Sequence, residues 1–208
     1  MHELIPDRGG SLEETAIDKR PIEGLVHVGR LGVAGDTQVD TRHHGGVDKA
    51  VYAYAREDAA HWAQELGRDL PPGLFGENVA TKGVDVTGAV VGQRWQVGAP
   101  GIGPVLKVRM PRTPCTTFQA WVEELHWVKR FTEHGAPGAY LAVETEGVVA
   151  AGDPIRVLSS PAHGVTIGEV FVGRRGDLAR LRGLLDDGVD LAPSLVEALG
   201  KMLQLADG

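Results

Sequence analysis

Apolar and polar positions alternate in short runs over about the first 160 residues, and the period changes after that. Residues 24–31, Gly-Leu-Val-His-Val-Gly-Arg-Leu, read as a strand. So does Ala50-Val-Tyr-Ala-Tyr54, a short continuous apolar run of the kind that suits a buried strand. Val105-Leu-Lys-Val-Arg-Met110 alternates apolar with basic side chains, the period-two signature of a half-buried strand. Shorter strands are predicted at 79–81, 89–91, 94–97, 138–143 and 154–158. Glu146-Gly147 and Gly152-Asp153 bracket residues 148–151 as hairpin-like connections. A helix over 56–66 closes on Gly67, and one or two more lie between Phe118 and His134, with Trp62, Trp121 and Trp127 on their buried faces. Residues 1–14, polar and glycine-interrupted, are predicted to be a loop or a loosely held terminus, and 32–36 and 70–78 are turns by composition.

From about Ala162 the spacing becomes helical. Residues 165–171, 178–185 and 191–205 carry apolar side chains at helical intervals, the last with Leu195, Leu199 and Leu203 on one stripe. Three helices forming a small C-terminal subdomain over 162–208 are therefore expected, behind a strand-rich domain over 1–161. Composition agrees with that division. Among 208 residues, 29 glycines and an aromatic share of 5% favour many turns and short strands over a helical bundle, and a 42% hydrophobic content suffices for a real core.

Charge and cysteine content narrow the function classes. A formal net charge of -7 argues against a general nucleic-acid surface but leaves room for a small anionic ligand in a locally basic pocket. Cations do gather in the informative stretches: Lys19 and Arg20, Arg42 and Lys49, Lys107, Arg109 and Arg112. One cysteine permits no internal disulfide, the N-terminus lacks an apolar leader core, and no run reaches membrane-spanning length. A cytoplasmic protein with no membrane partner is the expectation. Exposed apolar positions on the final helices make a homodimer a further one.

The single cysteine, Cys115, stands in Met110-Pro-Arg-Thr-Pro-Cys-Thr-Thr117. Pro111 and Pro114 fix φ and push the residues before them towards extended geometry, so the thiol is aimed rather than left on a floppy tip. Thr116 or Thr117 is placed to cap the helix that follows. A helix N-terminus and Arg112 nearby favour a thiolate, whereas an isolated cysteine is commonly a small buried hydrophobe. The residues by themselves leave both readings open.

His43-His44-Gly45-Gly46 invites a metal reading, but adjacent histidines point differently on any regular backbone. No H-x-x-x-H or C-x-x-C companion is present. The glycine pair, with Lys49 three residues on, suits either a phosphate cradle or a solvated turn. Gly73-Leu-Phe-Gly-Glu-Asn78 is a similar loop, and a Cys–His hydrolase with His44 or His134 as base has no local signature in its favour. Nucleotide folds lack both a Walker pattern and a G-x-G-x-x-G after a strand.

Taken in order, Thr15-Ala-Ile-Asp-Lys19 with Pro21, Gly35-Asp36 and Asp40, His44-Gly-Gly-Val-Asp-Lys-Ala50, Phe75-Gly-Glu-Asn78 and Pro111-Arg-Thr-Pro-Cys115 resemble MOSC-domain proteins (molybdenum cofactor sulfurase C-terminal domain), in their YiiM-like branch. The resemblance runs from about Thr15 to Ser160. It implies a mainly β, α+β fold with a barrel-like domain similar to the small barrel of pyruvate kinase. It also implies molybdenum cofactor, a pterin dithiolene (molybdopterin) with a terminal phosphate, its metal held by Cys115. The activity implied is reduction of N-hydroxylated compounds such as hydroxylaminopurines and hydroxylamines, with electrons from a separate protein. Arg112, Thr113, Lys49, Gly45 and Gly46 would then bind cofactor anions together with Lys19 and Arg42. Asn78 would bond the pterin or shape its loop, and His44 would deliver protons. A persulfide-bearing sulfur carrier on Cys115 and a cofactor-binding module without turnover are the alternatives that the same resemblance implies.

Overall fold

The computed structural model describes residues 2–10, 12–40, 45–173, 177–186 and 189–207. Six strands form the main sheet: β5 (Val51–Ala55), β6 (Val79–Thr81), β7 (Arg94–Val97), β8 (Val105–Pro111), β9 (Ala139–Thr145) and β11 (Ile155–Ser159). Their order is β11-β7-β8-β9-β5-β6, with only β5 and β6 parallel. The sheet curls into half a barrel, the architecture expected from the sequence. Facing it is a three-stranded sheet of β3 (Val26–Gly29), β4 (Gly32–Val33) and β10 (Gly147–Val149), in the order β10-β3-β4.

A two-stranded sheet joins β1 (His2–Pro6) to β2 (Glu14–Lys19), so the N-terminus is not the expected loop. Its strand has no apolar alternation to announce it. Antiparallel pairing with β2 makes it, from His2↔Lys19 to Pro6↔Glu14. Residues 89–91 depart from expectation the other way, with one isolated bridge from Val90 to Thr166 and no strand.

Helix α1 (Arg56–Leu66) has the predicted bounds and ends on Gly67 at φ 64°, a left-handed stop that glycine adopts without a Cβ penalty. Helices α2 (Thr116–Val122) and α3 (Trp127–His134) occupy the stretch predicted for one or two helices. An aromatic cluster holds all three against β5. Tyr54 stacks on Phe75 at 4.4 Å, Trp62 meets Trp127 at 4.5 Å, and Phe118 lies edge-on to Phe131 at 5.3 Å. These rings are almost fully buried, and each contributes about 2–3 kcal/mol by leaving water.

The three C-terminal helices are α4 (Ile167–Val172), α5 (Leu178–Asp186) and α6 (Pro193–Asp207). Thr166 and Glu169 form a capping box that starts α4 two residues later than the apolar spacing suggested. Leu181, Leu184, Leu195 and Leu199 belong to the same contiguous core as the sheet. No helix among the described residues is long and apolar enough to cross a membrane.

Candidate functional site

Strand β8 delivers the chain to the proline-bounded turn, and Cys115 ends it as the residue preceding α2, with extended φ and ψ of -128° and 173°. Neither threonine caps the helix: no side chain bonds its N-terminus, and the Thr117 hydroxyl donates instead to Asp7 Oδ2 at 3.2 Å. Cys115 itself is half-buried and opens onto a cleft of about 1000 Å³.

Lys19, Lys49, Asn78, Arg112, Thr113 and Cys115 all line that cleft, though more than ninety residues of sequence separate the first from the last. Arg112 is 5% exposed. Its guanidinium lies 4.4 Å from the Phe118 ring centre and 4.9 Å from that of Tyr52, and Nη1 donates to the Phe75 carbonyl. Its buried Nε has no partner, and no carboxylate pairs with it among the described residues. Burial opposes the charge, and nearby Tyr52, Tyr140 and Cys115 support it, leaving the guanidinium proton more tightly held than usual. A buried, unpaired cation at a cleft is costly unless an anion arrives.

Lys19 and Asn78 are arranged differently. Asp36 pairs with Lys19 and accepts from Asn78 Nδ2 at 2.6 Å, while Asn78 Oδ1 accepts from the Tyr52 backbone N–H at 3.0 Å. This bracket locks the 73–78 loop to β2 and β5. Glu77 closes the same loop from inside, accepting N–H bonds from Gly73 at 2.6 Å and Phe75 at 3.0 Å. A Cβ on Gly73, whose φ is +95°, would lie 2.1 Å from the Lys19 carbonyl, so only glycine permits that approach.

Lys49 ends a single 3₁₀ turn, Val47–Lys49, with its ammonium 5.9 Å from the Tyr140 ring centre; burial lowers its proton affinity against the pull of Asp40 and Asp48. Tyr140 also lines the cleft, and burial pushes its hydroxyl up to about 12, so it keeps its proton at neutral pH. Gly45 and Gly46 are not among the lining residues; Gly46 donates its N–H to Gln38 Oε1 at 3.3 Å. Arg42, His43 and His44 lie outside the described residues. His134 stacks on His61 at 4.1 Å and faces a separate pocket, so the structure does not bring it to Cys115. No histidine among the described residues lines the cleft, and none of them form a group of three or more His, Cys, Asp or Glu able to hold a metal ion.

Two walls were missed from the sequence. The β1–β2 hairpin tip supplies Asp7, Gly10 and Leu12, pressed so closely on α2 that a Cβ on Gly9 would lie 2.2 Å from the Thr116 carbonyl. Helix α6 supplies Ser194, Glu197 and Lys201, the last two paired at 2.5 Å. The single local signal for the latter was an i,i+4 acid–base pair, which usually marks a solvated face.

Arg109, expected with the cations that gather for an anionic ligand, is instead matched within the fold. Its Nε donates to Asp48 Oδ1 at 2.7 Å, and its Nη1 donates to the Asp190 carbonyl at 2.7 Å. Lys107 joins the same Asp190 at 2.6 Å, and these two cations hold that carboxyl below its usual range.

A model of the MOSC domain matches residues 40–156. The chain belongs to the MOSC family. YflK of Bacillus subtilis (strain 168) is 32% identical over 158 residues, which span 76% of this chain and 70% of that protein. YiiM of Escherichia coli (strain K12) is 28% identical over 149 residues, 70% of this chain and 64% of YiiM. The crystal structure of YiiM from Geobacillus stearothermophilus shares the MOSC fold seen here, with a TM-score of 0.76 at 24% identity over 97% of each chain. That of E. coli YiiM matches with a TM-score of 0.73 at 24% identity, covering 90% of this chain and 88% of that one.

Proposed function

We propose that this MOSC protein binds molybdenum cofactor and reduces N-hydroxylated compounds such as hydroxylaminopurines and hydroxylamines. The observation that carries the reading is the pairing of a half-buried thiol with a buried, carboxylate-free guanidinium on one cleft. The donor set fits the group. Sulfur is a soft ligand suited to a metal already held by a dithiolene, and an anionic cofactor answers the unpaired Arg112. When bound, the cofactor supplies the two-electron redox centre.

The chain's own residues then bind and orient. Cys115, in extended backbone between Pro114 and α2, would present its sulfur to the metal. Arg112, Lys49 and Thr113 would hold anionic groups of the cofactor, with Arg42 and Lys19 as further contacts; the bracket of Asp36, Lys19 and Asn78 keeps the neighbouring loop in shape. Reduction of R–NHOH to R–NH2 and water consumes two electrons and two protons. His44 is assigned to proton delivery because imidazole titrates near neutral pH. A separate protein is assigned as electron donor.

The test is to purify the protein from hosts with and without cofactor biosynthesis. Stoichiometric molybdenum should appear in the first alone, together with consumption of an N-hydroxylated substrate from an artificial donor, and Cys115→Ser should lose both. Molybdenum-free protein from the competent host, with no cofactor uptake, overturns the reading. Cyanide-labile sulfur that disappears in Cys115→Ser would indicate the persulfide carrier instead, and molybdenum without turnover a binding module.

A further inference from the structure

A second cavity, of about 740 Å³, shares only Lys19, Asp36 and Asn78 with the Cys115 cleft and is separated from it by that bracket. Strand register explains its walls. Val149 pairs with Val26 and Val28 with Val33, which puts these four on one face, while the intervening His27 is 53% exposed on the other. Val97 and Leu106 of the main sheet are buried on the opposite wall. Protein interiors are close-packed, with few voids larger than a water molecule. A hollow between two sheets, walled by small β-branched side chains where large ones would fill it, has instead the size and lining of a small-molecule site.

Two polar groups in this lining are left over. Thr81 is 2% exposed, and its hydroxyl has no hydrogen-bond partner. Lys82, exposed beside it, has no close ion pair among the described residues, and the charge it answers to is the exposed Glu57, which it helps to hold ionised. The other charges lining the cavity are matched. Lys19 pairs with Asp36, and Arg20 with Asp18 and Glu3. Glu77 accepts from Gly73 and Phe75, and Asp153 from the Ala150 N–H at 2.8 Å.

We infer that this lumen is a second ligand site, taking a compact aryl or alkyl molecule that carries a carboxylate or sulfonate. The apolar body lies among the valines and the acid meets Lys82. This does not depend on cofactor chemistry at Cys115. The test uses the aryl sulfonate 8-anilinonaphthalene-1-sulfonate with the full-length protein, followed by fluorescence and calorimetry. Saturable binding at one site is expected. Val149→Trp, which fills the lumen, and Val26→Glu, which places a carboxylate on the facing member of the same cross-strand pair, should each weaken it at least roughly tenfold. Lys82→Glu should weaken it roughly fivefold. Near-UV circular dichroism checks each variant's packing; if Val149→Trp fails to fold, the half-buried Val26 carries the test. Absence of saturable binding, or full affinity in natively packed Val26→Glu, overturns the site. Full affinity in Lys82→Glu overturns the assignment of the acidic group.

Discussion

Arg109 and Arg112 leave the same stretch of chain three residues apart and are equally buried, at 6% and 5% exposure. Their surroundings are opposite. Arg109 is matched by Asp48 and Asp190 and ties β8 to the 3₁₀ turn at Val47–Lys49 and to the approach to α6. Arg112 meets two aromatic faces and one carbonyl. A buried guanidinium cannot lose its proton, so its charge is balanced either by the fold or from outside. The first holds the cleft's walls together. The second faces the space they enclose.

The largest expected effect comes from Arg112→Met. Hydrogen bonds to charged groups contribute about 1.5–3 kcal/mol, so cofactor affinity should fall roughly 10- to 100-fold. Molybdenum content and cofactor titration of the apo-protein read that loss. Stability of the cofactor-free protein should change by no more than about 1 kcal/mol, because removing an unpaired buried charge relieves its desolvation. A variant that instead unfolds, or retains cofactor, would erase the contrast with Arg109.

Arg109→Met should behave in the opposite sense. It strands Asp48, which is half-buried, and costs about 3 kcal/mol, at the low end for a broken buried pair because Asp48 keeps some contact with water and Asp190 is mostly exposed. For a chain of this size that is a Tm decrease of roughly 6–12 °C by calorimetry. Cofactor affinity should fall less than in Arg112→Met.

These two roles were not separable in the sequence, where Lys107, Arg109 and Arg112 formed one basic cluster. The partners of Arg109 lie 61 and 81 positions away, and no local pattern announces such pairs. Local signals fared better where the interaction was local. Helix α1 was legible to the residue because Gly67 stops it and Trp62 anchors it. Strand β1 was invisible because it is held by pairing with β2 and by distant contacts such as His2 Nδ1 with the Gly35 carbonyl, 3.0 Å apart, and not by a local pattern. The residues gathered on the cleft with Cys115 followed from motif order. The walls from Asp7 and from Glu197 did not, since hairpin and helix reach the cleft only through tertiary packing.

Glu77 offers a smaller test of the same distinction, now for a buried acid satisfied by the fold. Its carboxylate accepts from two backbone N–H groups, and burial raises its proton affinity against those bonds. Glu77→Ala leaves both N–H groups buried without an acceptor and should cost about 2 kcal/mol. The loop that carries Phe75 and Asn78 would loosen with it. Faster hydrogen exchange at Gly73 and Phe75 than in the unaltered protein is the measurement, and unchanged protection would place the loop's stability elsewhere.

The smallest effect concerns a group that meets the lack of a partner in the way an arginine cannot. His134 Nε2 is buried and has no hydrogen-bond partner, like Arg112 Nε. Burial and the stacked His61 lower its proton affinity, against a weaker pull from Glu65. The folded state therefore favours neutral imidazole, whereas the unfolded chain protonates near the ordinary value of about 6.5. As pH falls through that value the unfolded state gains a proton the folded state declines, so stability drops until His134 itself protonates and then levels off. His134→Phe keeps a ring against Trp62 and removes the titration. Its Tm should decline less steeply between about pH 7 and pH 5 than that of the unaltered protein. An NMR titration of His134 with a midpoint at or above the ordinary histidine value would contradict the account, because a buried imidazole without a partner would then be holding a charge that only Arg112, of the two, is obliged to keep.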